Sequence, residues 1–208
     1  MKKSMWIGIA AATLLPAVAW AQQAYLGGGI GQGTSHVPSV TAPAQGFSGQ
    51  DGTTRDTSWK FYGGYQFDQN WGLELGYNYL GNGFTINANT IPAGATGSAS
   101  YRVSNWYIAG TGTLPFGNGF GLQGKLGVVR NSVSGGGLCL GGGCGGLNQT
   151  GHTDLLVGVG LKYSFNKNWS GLLEYEDYGK TTGNDVWGTG SSGSMKASAW
   201  NLSVRYDF

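Results

Sequence analysis

The stretch Trp71-Gly72-Leu73-Glu74-Leu75-Gly76-Tyr77-Asn78-Tyr79 decides the fold. Trp71, Leu73, Leu75, Tyr77 and Tyr79 share one phase, and Gly72, Glu74, Gly76 and Asn78 share the other. A period of two is the signature of a strand with one apolar and one polar face. Just upstream, Trp59, Phe61, Tyr65 and Phe67 alternate with Lys60, Tyr62, Gly64 and Gln66, and Asp68-Gln69-Asn70 joins the two runs, so the pair is read as a β-hairpin. The unit recurs. Asn105 to Leu114 and Phe120 to Arg130 flank Pro115-Phe116-Gly117-Asn118, and Thr153 to Phe165 and Trp169 to Gly179 flank Asn166-Lys167-Asn168. Tyr25 to Gly33 before the first hairpin and Ser198 to Phe208 after the last bring the strand count to eight.

Connection lengths then alternate. Three tight turns stand against long loops at about 34–57, 81–102, 131–152 and 180–197, all rich in Gly, Ser, Thr and Asn. Short turns at one end and long loops at the other are the pattern of an outer-membrane barrel, and about ten residues per strand suffice to cross at the usual tilt. Backbone donors in hydrocarbon need partners, and closure removes both sheet edges. The expected fold is therefore an all-β, eight-stranded antiparallel up-and-down transmembrane β-barrel spanning residues 22–208.

Composition agrees. Of 208 residues 41 are Gly and only 5 Pro, without a three-residue period, so collagen is excluded, and 13% aromatic residues exclude a solvated linker. Charged residues make up 11%, below the roughly 25% of an ordinary soluble domain. Lys2 and Lys3, the apolar run Met5 to Val18 and the small-x-small site Ala19-Trp20-Ala21 read as a signal peptide over residues 1–21. Its removal takes two of the 12 basic residues and leaves 10 against 10 acidic ones. Such balance makes nucleic acid no partner.

Lys60, Glu74, Lys125, Lys162, Glu174, Glu176 and Arg205 all fall on the face opposite the lipid-type residues. An outward Lys or Arg at mid-membrane would cost roughly 2–4 kcal/mol, so these groups are expected in the lumen as a buried ion network. Lys162 is expected opposite Leu172 and in contact with Glu174 on the diagonal. Eight strands leave an interior that side chains fill, which predicts a plugged core; a narrow ion-conducting pore is the alternative. Aromatic girdles are expected from Phe67, Trp71, Phe116, Phe165, Trp169 and Phe208 at the tight-turn end and from Trp59, Tyr79, Trp106 and Trp200 at the loop end.

The stretches Gly63-Gly64-Tyr65-Gln66-Phe67, Leu73-Glu74-Leu75-Gly76-Tyr77, Lys125-Leu126-Gly127, Gly158-Val159-Gly160-Leu161-Lys162-Tyr163, Glu174-Tyr175 and Val204-Arg205-Tyr206-Asp207-Phe208 resemble the transmembrane domain of the outer membrane protein A family. The resemblance implies an eight-stranded outer-membrane barrel with periplasmic termini and exterior loops. Tyr206 and the terminal Phe208 resemble the signal by which the outer-membrane assembly machinery recognises a last strand. The family's interior charge gate would fall on Glu74, Thr111, Lys162 and Leu172, of which only Glu74 keeps its character, so Lys125, Glu174, Glu176 and Arg205 are expected to form a different network.

Other motifs carry less. Gly119 to Lys125 has phosphate-loop spacing, but Leu126 replaces the required Ser or Thr and no strand-to-helix junction surrounds it. Cys139 and Cys144, in an exported chain, read as a small disulfide loop. A metal site would recruit His152 and His36, yet no ligand quartet is recognisable, so no metal or cofactor is expected. His152 beside Asp154 raises a lipid hydrolase as a second alternative, without a nucleophile elbow. The reading is a non-enzymatic, monomeric outer-membrane protein whose loops meet lipopolysaccharide, host surfaces or phage.

Overall fold

The computed structural model describes residues 23–37, 41–42, 47–48, 52–88, 97–135, 138–140, 143–145, 150–180 and 196–208. The expected signal peptide, residues 1–21, lies outside them. Twelve strands follow in order: β1 Gln23–Val37, β2 Thr41–Ala42, β3 Phe47–Ser48, β4 Gly52–Gln66, β5 Trp71–Ala88, β6 Gly97–Gly117, β7 Phe120–Gly135, β8 Leu138–Leu140, β9 Gly143–Gly145, β10 Thr150–Ser164, β11 Trp169–Lys180 and β12 Lys196–Asp207. Eight of them close into an antiparallel barrel in the order β1-β12-β11-β10-β7-β6-β5-β4, with β4 returning to β1. The pairs β2-β3 and β8-β9 form small ribbons in the first and third long connections.

Side-chain alternation sets the wall. Along β5, Trp71 is 65% and Leu75 56% exposed, while Glu74 and Asn78 between them are each 1% exposed. The same alternation runs through the other barrel strands, so the outer face is mostly aliphatic and aromatic while the buried polar and charged side chains line the lumen together with a minority of apolar ones.

Two of the three tight turns are the same device. In Phe67-Asp68-Gln69-Asn70-Trp71, Asp68 Oδ1 accepts the backbone N–H groups of Asn70 and Trp71, both at 2.7 Å. In Phe165-Asn166-Lys167-Asn168-Trp169, Asn166 Oδ1 accepts those of Asn168 and Trp169 at 2.9 and 2.8 Å. The last Asn of each turn then locks the neighbouring strand, Asn70 Nδ2 donating to the Thr113 carbonyl and Asn168 Nδ2 to the Asp207 carbonyl, both at 2.8 Å. The third turn differs from the expected Pro115–Asn118. Strand β6 runs on to Gly117 through an irregularity at Pro115, and the turn is Asn118-Gly119, with φ of 53° and 81°. Asn-Gly with both φ values positive is the hairpin turn whose twist matches its strands.

The strands also outrun their sequence-based bounds at the other end. Segments expected to be loop from residues 34, 81 and 131 begin as strand, to Val37, Ala88 and Gly135. Hydrophobic alternation marks only the part of a strand that meets lipid. Beyond it the ladder continues with Thr34, His36, Ser132 and Ser134 on the outer face, which the pattern cannot register.

Candidate functional site

Midway along the lumen the strands bring together two ammonium groups and three carboxylates. Lys60 Nζ on β4 lies 2.7 Å from Glu174 Oε2 and 3.0 Å from Glu176 Oε2 on β11. Lys125 Nζ on β7 lies 2.7 Å from Glu74 Oε1 on β5, 2.7 Å from Glu174 Oε1 and 3.0 Å from Glu176 Oε1. Strands β4 and β11 are not neighbours, nor are β7 and β5, so each lysine reaches across the lumen and ties separate parts of the wall together. All five side chains are buried, with Lys60 and Glu176 at 0% exposure. Ions removed from water this completely persist only when paired and hydrogen-bonded.

The excess carboxylate is met by neutral donors. Tyr25 and Tyr107 hydroxyls donate to Glu74 Oε2 and Oε1 at 3.1 and 2.7 Å. The Tyr178 hydroxyl and Asn201 Nδ2 donate to Glu176 Oε2 at 2.9 and 3.0 Å. The Tyr62 ring lies 4.9 Å from Lys60 Nζ and 5.3 Å from Lys125 Nζ, which places both cations within reach of its π face. Glycines make room for these rings. A Cβ on Gly76 would overlap the Tyr107 ring, and one on Gly64 the Tyr25 ring.

Towards the loop end the lumen turns apolar, with Leu80, Val103, Val129, Val133, Leu156, Ala197 and Ala199 buried around Tyr178. Towards the tight turns it opens into a vestibule of about 340 Å³ lined by Gln66, Lys162, Ser170, Arg205 and Asp207, among others. Arg205 is 2% exposed. It bonds Asp207 through Nε at 2.8 Å and also through Nη2, donates from Nη2 to Gln66 Oε1 at 2.8 Å, and stacks on the Tyr25 ring at 3.5 Å.

Lys162 is the correction among the expected lumen residues. It pairs in register with Leu172 but makes no ion pair with Glu174 among the described residues. Glu174 lies over Gly160, where an added Cβ would come 2.7 Å from its Cγ, and its carboxylate goes to Lys60 and Lys125. Lys162 instead lines the vestibule, beside Arg205 and Asp207. At the resemblance-derived gate positions, Thr111 stands opposite Lys125 in the ladder, so the cation that serves Glu74 sits one strand over.

Sequence reasoning set Tyr62 in the polar phase beside Lys60 without giving it a role, and passed over Tyr25, Tyr107, Tyr178 and Asp207. These three tyrosines occupy the polar phase of their strands, a signal that the aromatic-means-lipid rule overrode. His36 and His152 lie on β1 and β10, strands that do not adjoin. His36 Nδ1 is 3.1 Å from Thr53 Oγ1. The Asp154 carboxylate accepts the backbone N–H groups of Leu155 and Lys180 at 2.8 and 2.7 Å. Cys139 and Cys144 are directly opposite in the β8-β9 ribbon.

Residues 7–208 match the model of the outer membrane protein beta-barrel domain. The chain belongs to that outer-membrane family. It is an outer-membrane β-barrel protein. Among solved structures it is similar to Ail, the attachment invasion locus protein of Yersinia pestis, in complex with the heparin analogue sucrose octasulfate, at a TM-score of 0.52, 15% identity and coverage of 89% of this chain and 99% of that one. Neisserial surface protein A is similar at 0.52 and 14% identity, over 89% of this chain and 97% of that one. At these identities the likeness shows the fold. No curated protein sequence matches the chain significantly.

Proposed function

We propose that this outer-membrane barrel is a non-enzymatic surface protein that holds its long loops outside the cell on a wall whose lumen is closed to ions. The observation that carries this is the lumen itself: the Lys60, Lys125, Glu74, Glu174 and Glu176 network beneath a layer of buried aliphatic side chains. In this reading residues 1–21 are cleaved on export, the termini and tight turns are periplasmic, and Phe208 with Tyr206 forms the assembly signal. Cys139 and Cys144 close a disulfide in an exterior loop, a pairing consistent with their direct opposition across the ribbon. The protein acts as a monomer, and its partners are lipopolysaccharide and host or phage surfaces.

Planar-bilayer recording on refolded protein tests the closed lumen. Baseline current is expected. A steady conductance that changes on Glu74→Gln would replace this reading with that of a narrow pore. Lipid A composition in cells expressing His152→Ala tests the hydrolase alternative, and no difference from wild type is expected.

A further inference from the structure

Cations appear at a fixed interval above the outward tryptophans. Arg55, Arg102 and Lys196 precede Trp59, Trp106 and Trp200 by four residues each, on β4, β6 and β12. Four is even, so on a strand each cation shares its tryptophan's face, and all six side chains are exposed on the outside of the barrel. At about 3.3 Å per residue and a tilt near 40°, each cation stands roughly 10 Å beyond its tryptophan along the membrane normal. Tryptophan belts mark the interface, so this is headgroup height.

Further basic residues on the outer face extend the set. Arg130 is directly opposite Trp106, with Nη1 donating to Thr153 Oγ1 at 3.2 Å. Lys180 is directly opposite Lys196, and Lys196 is directly opposite His36. His36 in turn faces Thr53, two residues from Arg55. Basic side chains thus run across four adjacent strands, β11, β12, β1 and β4. Like charges directly opposite destabilise a sheet, so an anion between Lys180 and Lys196 would stabilise their pairing. Among the described residues none of the five Lys and Arg side chains makes an ion pair. Among the described residues the one acid on this face at this height is Asp177, whose Oδ1 accepts the Gly179 N–H at 2.8 Å.

We propose that this collar binds the phosphate groups of lipopolysaccharide, the phosphorylated glycolipid of the outer leaflet, with Lys180 and Lys196 sharing one phosphate and Arg55, Arg102 and Arg130 taking others. Guanidinium forks match phosphate oxygens, and long basic side chains keep their stems on apolar surface while their heads reach the headgroups. The cations point sideways from the wall, over the lipid, which selects a lipid headgroup over a soluble anion. The assignment rests on the proposed orientation, loops outside.

The test titrates the folded protein in detergent micelles with bis-phosphorylated lipid A, with dephosphorylated lipid A and with inorganic phosphate, reading bound lipid by native mass spectrometry. Each basic residue near a headgroup contributes roughly fivefold, so Arg55→Gln/Arg102→Gln/Lys196→Gln is expected to weaken lipid A binding about a hundredfold. Lys167→Gln, in a tight turn, is expected to leave it unchanged, and heat-modifiable gel mobility shows that the triple variant is folded. Equal affinity of wild type and triple variant, equal affinity for the two lipids, or competition by millimolar inorganic phosphate would overturn the proposal. Protease cleavage within residues 181–195 on intact cells tests the orientation separately. Cleavage only after the cells are opened would overturn the leaflet assignment while leaving the affinity result standing.

Discussion

Replacing Lys125 by Met removes the one ammonium that touches all three carboxylates of the lumen, Glu74 and Glu174 at 2.7 Å and Glu176 at 3.0 Å. Lys60 is then the remaining cation of the cluster, and it reaches only Glu174 and Glu176. Glu74 keeps the Tyr25 and Tyr107 hydroxyls but no counter-ion. Leaving a buried charge uncompensated costs about 3–5 kcal/mol. Glu74→Gln works in the opposite sense. It turns two ammoniums against three carboxylates into two against two, at the cost of charge-assisted hydrogen bonds worth about 1.5–3 kcal/mol each, part of which the amide recovers. The expected order of stability is wild type, then Glu74→Gln, then Lys125→Met. Combining the two is expected to cost less than their sum, with a coupling of about 1–3 kcal/mol. Urea unfolding in lipid vesicles, followed by tryptophan fluorescence and by gel mobility, measures all four proteins. If Lys125→Met proves as stable as wild type, or more stable than Glu74→Gln, the charge-balance reasoning is wrong.

Three further outcomes are expected. Gly76→Val places a side chain where the Tyr107 ring lies, and overpacking of this kind costs about 1–3 kcal/mol; unchanged urea stability would refute the close approach. The thiols of Cys139 and Cys144 should resist alkylation in unfolded protein until a reductant is added, and immediate labelling would refute the disulfide. The Asp154 carboxylate accepts the Lys180 and Leu155 N–H groups at 2.7 and 2.8 Å, so the Lys180 amide should exchange with solvent faster in Asp154→Ala than in wild type; an unchanged exchange rate would contradict it.

How much of this was legible in the sequence depends on the range over which each signal acts. Alternation is local, so Trp71 to Tyr79 sufficed to put Glu74 inside and Leu75 outside, and the tight turns set the Lys162–Leu172 register. Contacts across the lumen are not local. Strand tilt and stagger bring Lys60 from β4 and Lys125 from β7 onto Glu174, whereas a hairpin diagram offers Glu174 only Lys162. Tyr25, Tyr107 and Tyr178 were hidden by their chemistry, since a phenol is both a lipid-compatible ring and a hydrogen-bond donor, and phase alone separates inward Tyr107 from outward Tyr77. The cation four residues before Trp59, Trp106 and Trp200 was in plain view, but it acquires meaning only once the outward phase is known to continue past the tryptophans.

The central claim is that one phase of each strand meets lipid and the other meets the lumen. A single-cysteine scan of residues 71–79, in protein whose native cysteines are replaced by Ser, tests it with a fluorescent label and a quencher dissolved in the bilayer. Strong quenching is expected at 71, 73, 75, 77 and 79 and weak quenching at 72, 74, 76 and 78. Quenching on the even positions, or without a period of two, would contradict the account.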